Sequence, residues 1–107
     1  MLTHIVVWKY KDEVSPETRE EHRAKLSNLK SVIAEVIDLK VGADVLHLAR
    51  SYDTGLVATF KNLADLDAYT VHPIHQEVAA MGKEIAAHVT SVDFLSLIHI
   101  SEPTRPY

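Results

Sequence analysis

Leu2-Thr3-His4-Ile5-Val6-Val7-Trp8-Lys9-Tyr10 opens the chain with an alternation in which Leu2, His4, Val6, Trp8 and Tyr10 share one face of an extended segment. Ile5 and Val7 make the other face apolar too. A strand of this kind is covered on both sides. Working outward, Ser15 is a good N-cap, Pro16 suits the first helical position, and Glu17, Glu20 and Glu21 sit near the positive helix end. A helix therefore starts there, with an apolar stripe of Leu26, Leu29 and Ile33 and with His22 and Ala24 on or beside that side. Val36 to Val41 reads as a second strand with a bend or bulge at Gly42, extended by Val45 to Leu48. After the polar break Ser51-Tyr52-Asp53, Leu56 to Phe60 is a third strand. Asn62 caps a short helix carrying Leu63, Leu66 and Tyr69, and His72-Pro73 interrupts it, because the residue before proline avoids helical geometry. From Pro73 a further helical piece places Ile74, Val78, Met81 and Ile85 on one face, and Val89 to Phe94 is the fourth strand.

The order βαββαβ is the split arrangement of an α+β, ferredoxin-like domain: an antiparallel four-stranded sheet with its helices on one face. Placing Leu2, Val6 and Trp8, with Val57 or Leu56, on the face away from the helices leaves an apolar patch that a monomer rarely tolerates. A homodimer through the sheet is expected, two sheets closing a dimeric α/β barrel.

The 107 residues suffice for one core and fall short of two. Hydrophobic residues at 47% and charged residues at 24% fit a globular chain, not a disordered one. The absence of cysteine excludes disulfides, thiolate catalysis and Cys-based metal sites. A net charge of −4 with no basic run argues against nucleic acid. No apolar run approaches the roughly 20 residues of a membrane span, and Met1-Leu2-Thr3-His4 lacks the basic region of a secretion signal, so no membrane partner and a cytoplasmic location are expected. From Leu95 the string Leu-Ser-Leu-Ile-His-Ile-Ser-Glu-Pro-Thr-Arg resembles the in-frame translation of a transposase adapter used in DNA library preparation. The domain is accordingly read as residues 1–96, with residues 97–107 a non-native tail whose scar starts near Leu95, and His99 belongs to no site.

The segments His4 to Lys11, Val41-Gly42, Tyr52-Asp53, Val57 to Phe60 and above all Ala68-Tyr69-Thr70-Val71-His72-Pro73-Ile74-His75 resemble the stress-responsive dimeric α/β-barrel (Dabb) domain family over residues 2 to 94. The tyrosine followed by His-Pro-x-His is the most specific piece. The resemblance implies a homodimer with an interior cavity. It also implies, from a plant branch that closes linear polyketides by intramolecular aldol condensation, a cyclase-like lyase chemistry with no cofactor. Carried over by motif, the catalytic pair falls on His75 and Tyr69, and a first-strand histidine on His4. The residue types suit the chemistry: histidine is a base poised near neutral pH, and a tyrosine hydroxyl can hold an enolate oxygen. Where that branch has two adjacent aromatics this chain has His22-Arg23, and where it has a further histidine this chain has Thr54, so a long alkyl-resorcinol substrate is not implied.

Each candidate also has a plainer role. His75 could serve a helix end and Tyr69 a half-buried packing position. His72, before proline, suits turn-fixing hydrogen bonds as well as ligand binding. His4 faces either the helices or the cavity, as a ligand-orienting group in the second case. The four histidines His4, His47, His72 and His75 raise a metal reading, but His72-x-x-His75 is unspecific and no metal is expected. Trp8 is read as core or dimer interface, and the charges at Lys11 to Glu13 and Glu17 to Glu21 as a solvated face. Three functions stay open: a stress-responsive barrel protein that binds or converts a small organic molecule in its cavity by acid–base chemistry, a non-catalytic stress-associated homo-oligomer, and a haem-degrading or antibiotic-biosynthesis-type monooxygenase.

Overall fold

The order of elements is β1 (Leu2–Tyr10), α1 (Pro16–Val32), β2 (Asp38–Ala43), β3 (Thr54–Phe60), α2 (Leu63–Val71), α3 (Pro73–Ile85) and β4 (Ala86–Leu95), in a computed structural model that describes residues 1–96. The expected tail, residues 97–107 with His99, lies outside the described residues. The strands form one antiparallel sheet in the order β2-β3-β1-β4, a ferredoxin-like α+β architecture with the helices on one face. Among the described residues no helix is long and apolar enough to cross a membrane.

The local signals act where the residue types place them. The Ser15 hydroxyl accepts the Thr18 N–H at 3.1 Å with Pro16 in the first turn, and the Asn62 side chain accepts the Asp65 N–H at 2.9 Å. On α1, His22, Leu26, Leu29 and the capping Ile33 are buried in a stripe of three- and four-residue steps, whereas Ala24 is exposed. Gly42 pairs in register with Gly55, without a bulge there; among the described residues the register shifts between Lys9 and Tyr10, where β1 meets β4. Val45–Leu48 does not extend β2. There the Asp44 carboxylate takes the His47 N–H at 2.6 Å, His47 adopts φ 54°, and the segment becomes an exposed loop.

The two faces of the sheet are the reverse of the sequence expectation. Leu2 pairs with Phe60, His4 with Ala58 and Val6 with Leu56, and these strand residues, with His4 half-buried and the others buried, pack together with Leu26, Leu29, Tyr69 and Val78 from the helices. Leu2, Val6 and Trp8 therefore face the helices, not a partner. The outward face carries Ile5 and Val7 with Val57, Val92 and Phe94, the last three 42%, 52% and 47% exposed. Because β1 is apolar on both faces, alternation alone does not decide which one turns inward. The decision comes from β3, whose Leu56, Ala58 and Phe60 are all larger or more buried than their outward neighbours. The apolar outer patch survives the exchange, made of different residues.

Candidate functional site

Tyr69 lies in the last turns of α2 and His75 in the first turn of α3, and the break between them brings the two rings together. Pro73 offers no N–H and forces His72 out of helical geometry, to φ −62° and ψ 132°. His72 then caps both helices: its N–H reaches the Tyr69 carbonyl at 3.2 Å, and its Nδ1 accepts the Ile74 N–H at 3.2 Å. The chain doubles back, so that His75 Nδ1 sits 3.1 Å from the Thr70 carbonyl oxygen and its ring lies 4.3 Å from that of Tyr69, centroid to centroid. His4 approaches from β1, its ring 6.1 Å from Tyr69 and edge-on to it, with its Nδ1 held by Asp93 of β4.

His4, Tyr69, Thr70 and His75 line a pocket of about 370 Å³ between the helix-side face of β1 and β4 and one side of α3. That volume falls at the lower end of the range for small-ligand sites, about 300–1,000 Å³. Val6, Trp8, Leu26 and Leu56 supply its apolar wall. The buried Tyr69 phenol is pushed up to about 12 by loss of hydration, and no group among the described residues is hydrogen-bonded to its hydroxyl. It is a donor that stays protonated. Burial also lowers the His75 imidazole, with His4 and His72 acting in the same direction and the Thr70 carbonyl opposing, so the ring is neutral at pH 7. Since a carbonyl only accepts, Nδ1 carries the proton and Nε2 is the basic nitrogen. A neutral base, a phenol donor and an apolar wall can take a proton from carbon beside a carbonyl and hold the resulting oxyanion.

The structure thus brings His75, Tyr69 and His4 together on the helix side of the sheet, not in a space between two sheets. His72 does not join them. It serves the turn and is not part of the pocket lining. Among the described residues no three His, Cys, Asp or Glu side chains are grouped to hold a metal, and His47 lies in the exposed loop beside Asp44. Two participants escape sequence reasoning. Asp93 is 89 residues from His4 and becomes its partner only because β4 pairs with β1. Lys83 reaches the pocket through the His75, Ala79, Lys83 face of α3, a four-residue periodicity that the search for an apolar stripe passes over.

Outside the pocket lining, a second polar group is closed off. The Tyr10 hydroxyl donates to Thr54 Oγ1 at 2.9 Å and meets His22 Nδ1 at 2.7 Å, while Arg23 donates to the same Thr54 oxygen at 3.0 Å. His22 is 0% exposed, and its Nε2 has no hydrogen-bond partner among the described residues. Burial, then the Arg23 charge, lowers its imidazole to about 4.

The profile of the stress responsive A/B barrel domain family (Dabb) matches residues 2–96. The chain is similar to olivetolic acid cyclase of Cannabis sativa, 30% identical over 76 residues that span 69% of this chain and 75% of that protein. Its fold is similar to that of a dimeric ferredoxin-like protein of unknown function from Thermobifida fusca, with a TM-score of 0.81 at 29% identity over 89% of this chain and 90% of the other. A likeness to hydroxynitrile lyase from Passiflora edulis, TM-score 0.81 at 21% identity over 89% of this chain and 92% of that one, concerns the fold alone.

Proposed function

The chain belongs to the stress responsive A/B barrel domain family, and on that premise we propose that it binds a small carbonyl compound in the His75 pocket and converts it by acid–base chemistry without a cofactor. The observation that carries this reading is the Thr70 carbonyl on His75 Nδ1, which leaves Nε2 as a neutral base beside an uncommitted phenol. Nε2 removes a proton from carbon next to a carbonyl, and the electron pair moves onto the oxygen, which accepts a hydrogen bond from Tyr69. The enolate carbon then attacks a second carbonyl of the same molecule, forming the C–C bond. The new alkoxide takes the proton back from His75. His4, held by Asp93, orients the substrate oxygen. The similarity to a polyketide cyclase supports the reaction class. The test is turnover of short linear β-polyketones, followed by ultraviolet absorbance of a cyclised product: wild type should cyclise them and His75→Ala should not. Binding without turnover by wild type would reduce the protein to a binder.

We also propose that the protein is a homodimer through the outer sheet face, supported by its apolar surface, with Val57, Val92 and Phe94 exposed beside the half-buried Ile5 and Val7, and by the dimeric relative. Light scattering should give twice the chain mass. Val57→Lys, which points away from the core, should give a folded monomer, and a wild-type monomer at micromolar concentration would sink the idea.

A further inference from the structure

Lys83 is the one residue lining the pocket with a fixed charge, and no carboxylate among the described residues pairs with it. It stands in the last turn of α3, on the same face as His75 and Ala79. Eight residues separate it from His75, about 12 Å along the helix axis. The stretch between them is faced by Val6, Trp8 and Val89 across the pocket. One end of the pocket is therefore a neutral base with a phenol, the middle is apolar, and the other end is a cation without a counter-charge. A neutral substrate would leave that cation without a partner, whereas an anionic group there gains an ion pair at the solvent-exposed end of the apolar wall.

We propose that the ligand is a monoanionic dioxo acid, its carboxylate at Lys83, the carbonyl that is enolised at His75 and Tyr69, and a body of about four to six carbons along the apolar wall. This names the substrate class of the site above and rests on that reading of His75 and Tyr69. Lys83 is the residue that selects acids over their neutral analogues. A lysine in the last turn also favours the negative end of its own helix, but that role would not distinguish an acid from an amide.

The probes are 6-oxoheptanoate and its neutral amide, 6-oxoheptanamide. Trp8 is the only tryptophan of the chain and lines the pocket, so its emission reports occupancy, with proton chemical-shift changes as the second readout. Wild type should bind the acid about five- to twentyfold more tightly than the amide at low salt, the range between an exposed ion pair and a charge-assisted hydrogen bond. Lys83→Gln should weaken the acid alone and abolish the preference, Lys83→Arg should keep it, and about 0.5 M salt should reduce it. Lys83 is exposed and glutamine is a good helix former, so the variant keeps its fold. Equal affinities in wild type, or a preference that survives Lys83→Gln, would overturn the role of Lys83 and leave the pocket as a binding site. If neither probe moves either signal, the reading of the pocket falls with it.

Discussion

His75 Nδ1 rests 3.1 Å from the carbonyl oxygen of Thr70, and that contact decides which imidazole nitrogen is the base. Burial holds the ring below its ordinary 6.5. A base works deprotonated, so catalysis should be full at neutral pH and should fall only as pH drops through the lowered value. The acid limb of kcat/KM is expected below pH 6.5, and His75→Ala should cost about 10²–10⁴-fold. Survival of the rate within about threefold in His75→Ala, or an acid limb above 6.5, would place the chemistry elsewhere.

Tyr69→Phe removes one hydroxyl from a ring that is 1% exposed and packs against Phe60 and His75. The packing is retained and the hydroxyl has no hydrogen-bond partner to strand among the described residues, so unfolding free energy should change by less than about 1 kcal/mol. The loss should appear in kcat, by about 10- to 100-fold, somewhat less than a full oxyanion donor is worth. Parallel urea titration and steady-state kinetics separate the two.

Gly82→Ala should destabilise the fold. A Cβ at this position would lie 3.0 Å from both His22 Nε2 and Trp8 Nε1. Alanine gains about 1 kcal/mol of helix propensity, but forcing two buried rings apart costs about 1–3 kcal/mol, so the crowding wins. A variant at least as stable as wild type in denaturant would show that the rings yield freely.

Stability should fall as pH drops below about 6.5, with His22 as the main source of the slope. The unfolded chain charges His22 near pH 6.5, while the folded chain resists until about 4. Stability is therefore full above pH 6.5 and declines as pH falls towards 4, by up to about 3 kcal/mol for this group. His75, lowered in the same direction, adds to the slope. His22→Gln, which can keep a bond to the Tyr10 hydroxyl, should flatten it; an unchanged slope between pH 7 and 4.5 in that variant would rule out His22 as its source.

Removal of residues 97–107 should leave the unfolding free energy within about 1 kcal/mol, since the segment resembles an adapter translation and the pairing of Leu2 to Tyr10 with Leu95 to Ala86 lies before the cut. A loss above about 2 kcal/mol, on the scale of a core deletion, would make the segment part of the domain.

Much of the site is local in sequence. Tyr69, Thr70, His72, Pro73 and His75 lie within one turn region, so the proline rule and the motif together bring out the pair. Asp93 and Lys83 are not local. Their proximity depends on a strand pairing and on which flank of α3 meets the sheet, and neither leaves a mark in the residues themselves.

The same division holds for the whole protein. Capping at Ser15 and Asn62, the break at Pro73 and the periodicities of α1 and β1 are decided by neighbours a few residues apart, so the order βαββαβ was determined by the sequence alone. Which face of β1 turned inward was decided only in the folded molecule. Leu2, Val6 and Trp8 compete with Ile5 and Val7 on nearly equal terms, and the balance is tipped by Phe60, Ala58 and Leu56, which pair with Leu2, His4 and Val6 from 50 or more residues away along the chain. That choice put His4 beside Tyr69 and His75 and left Val57 and Phe94 outside, because a strand exposes alternate residues to opposite sides and one choice of face settles them all.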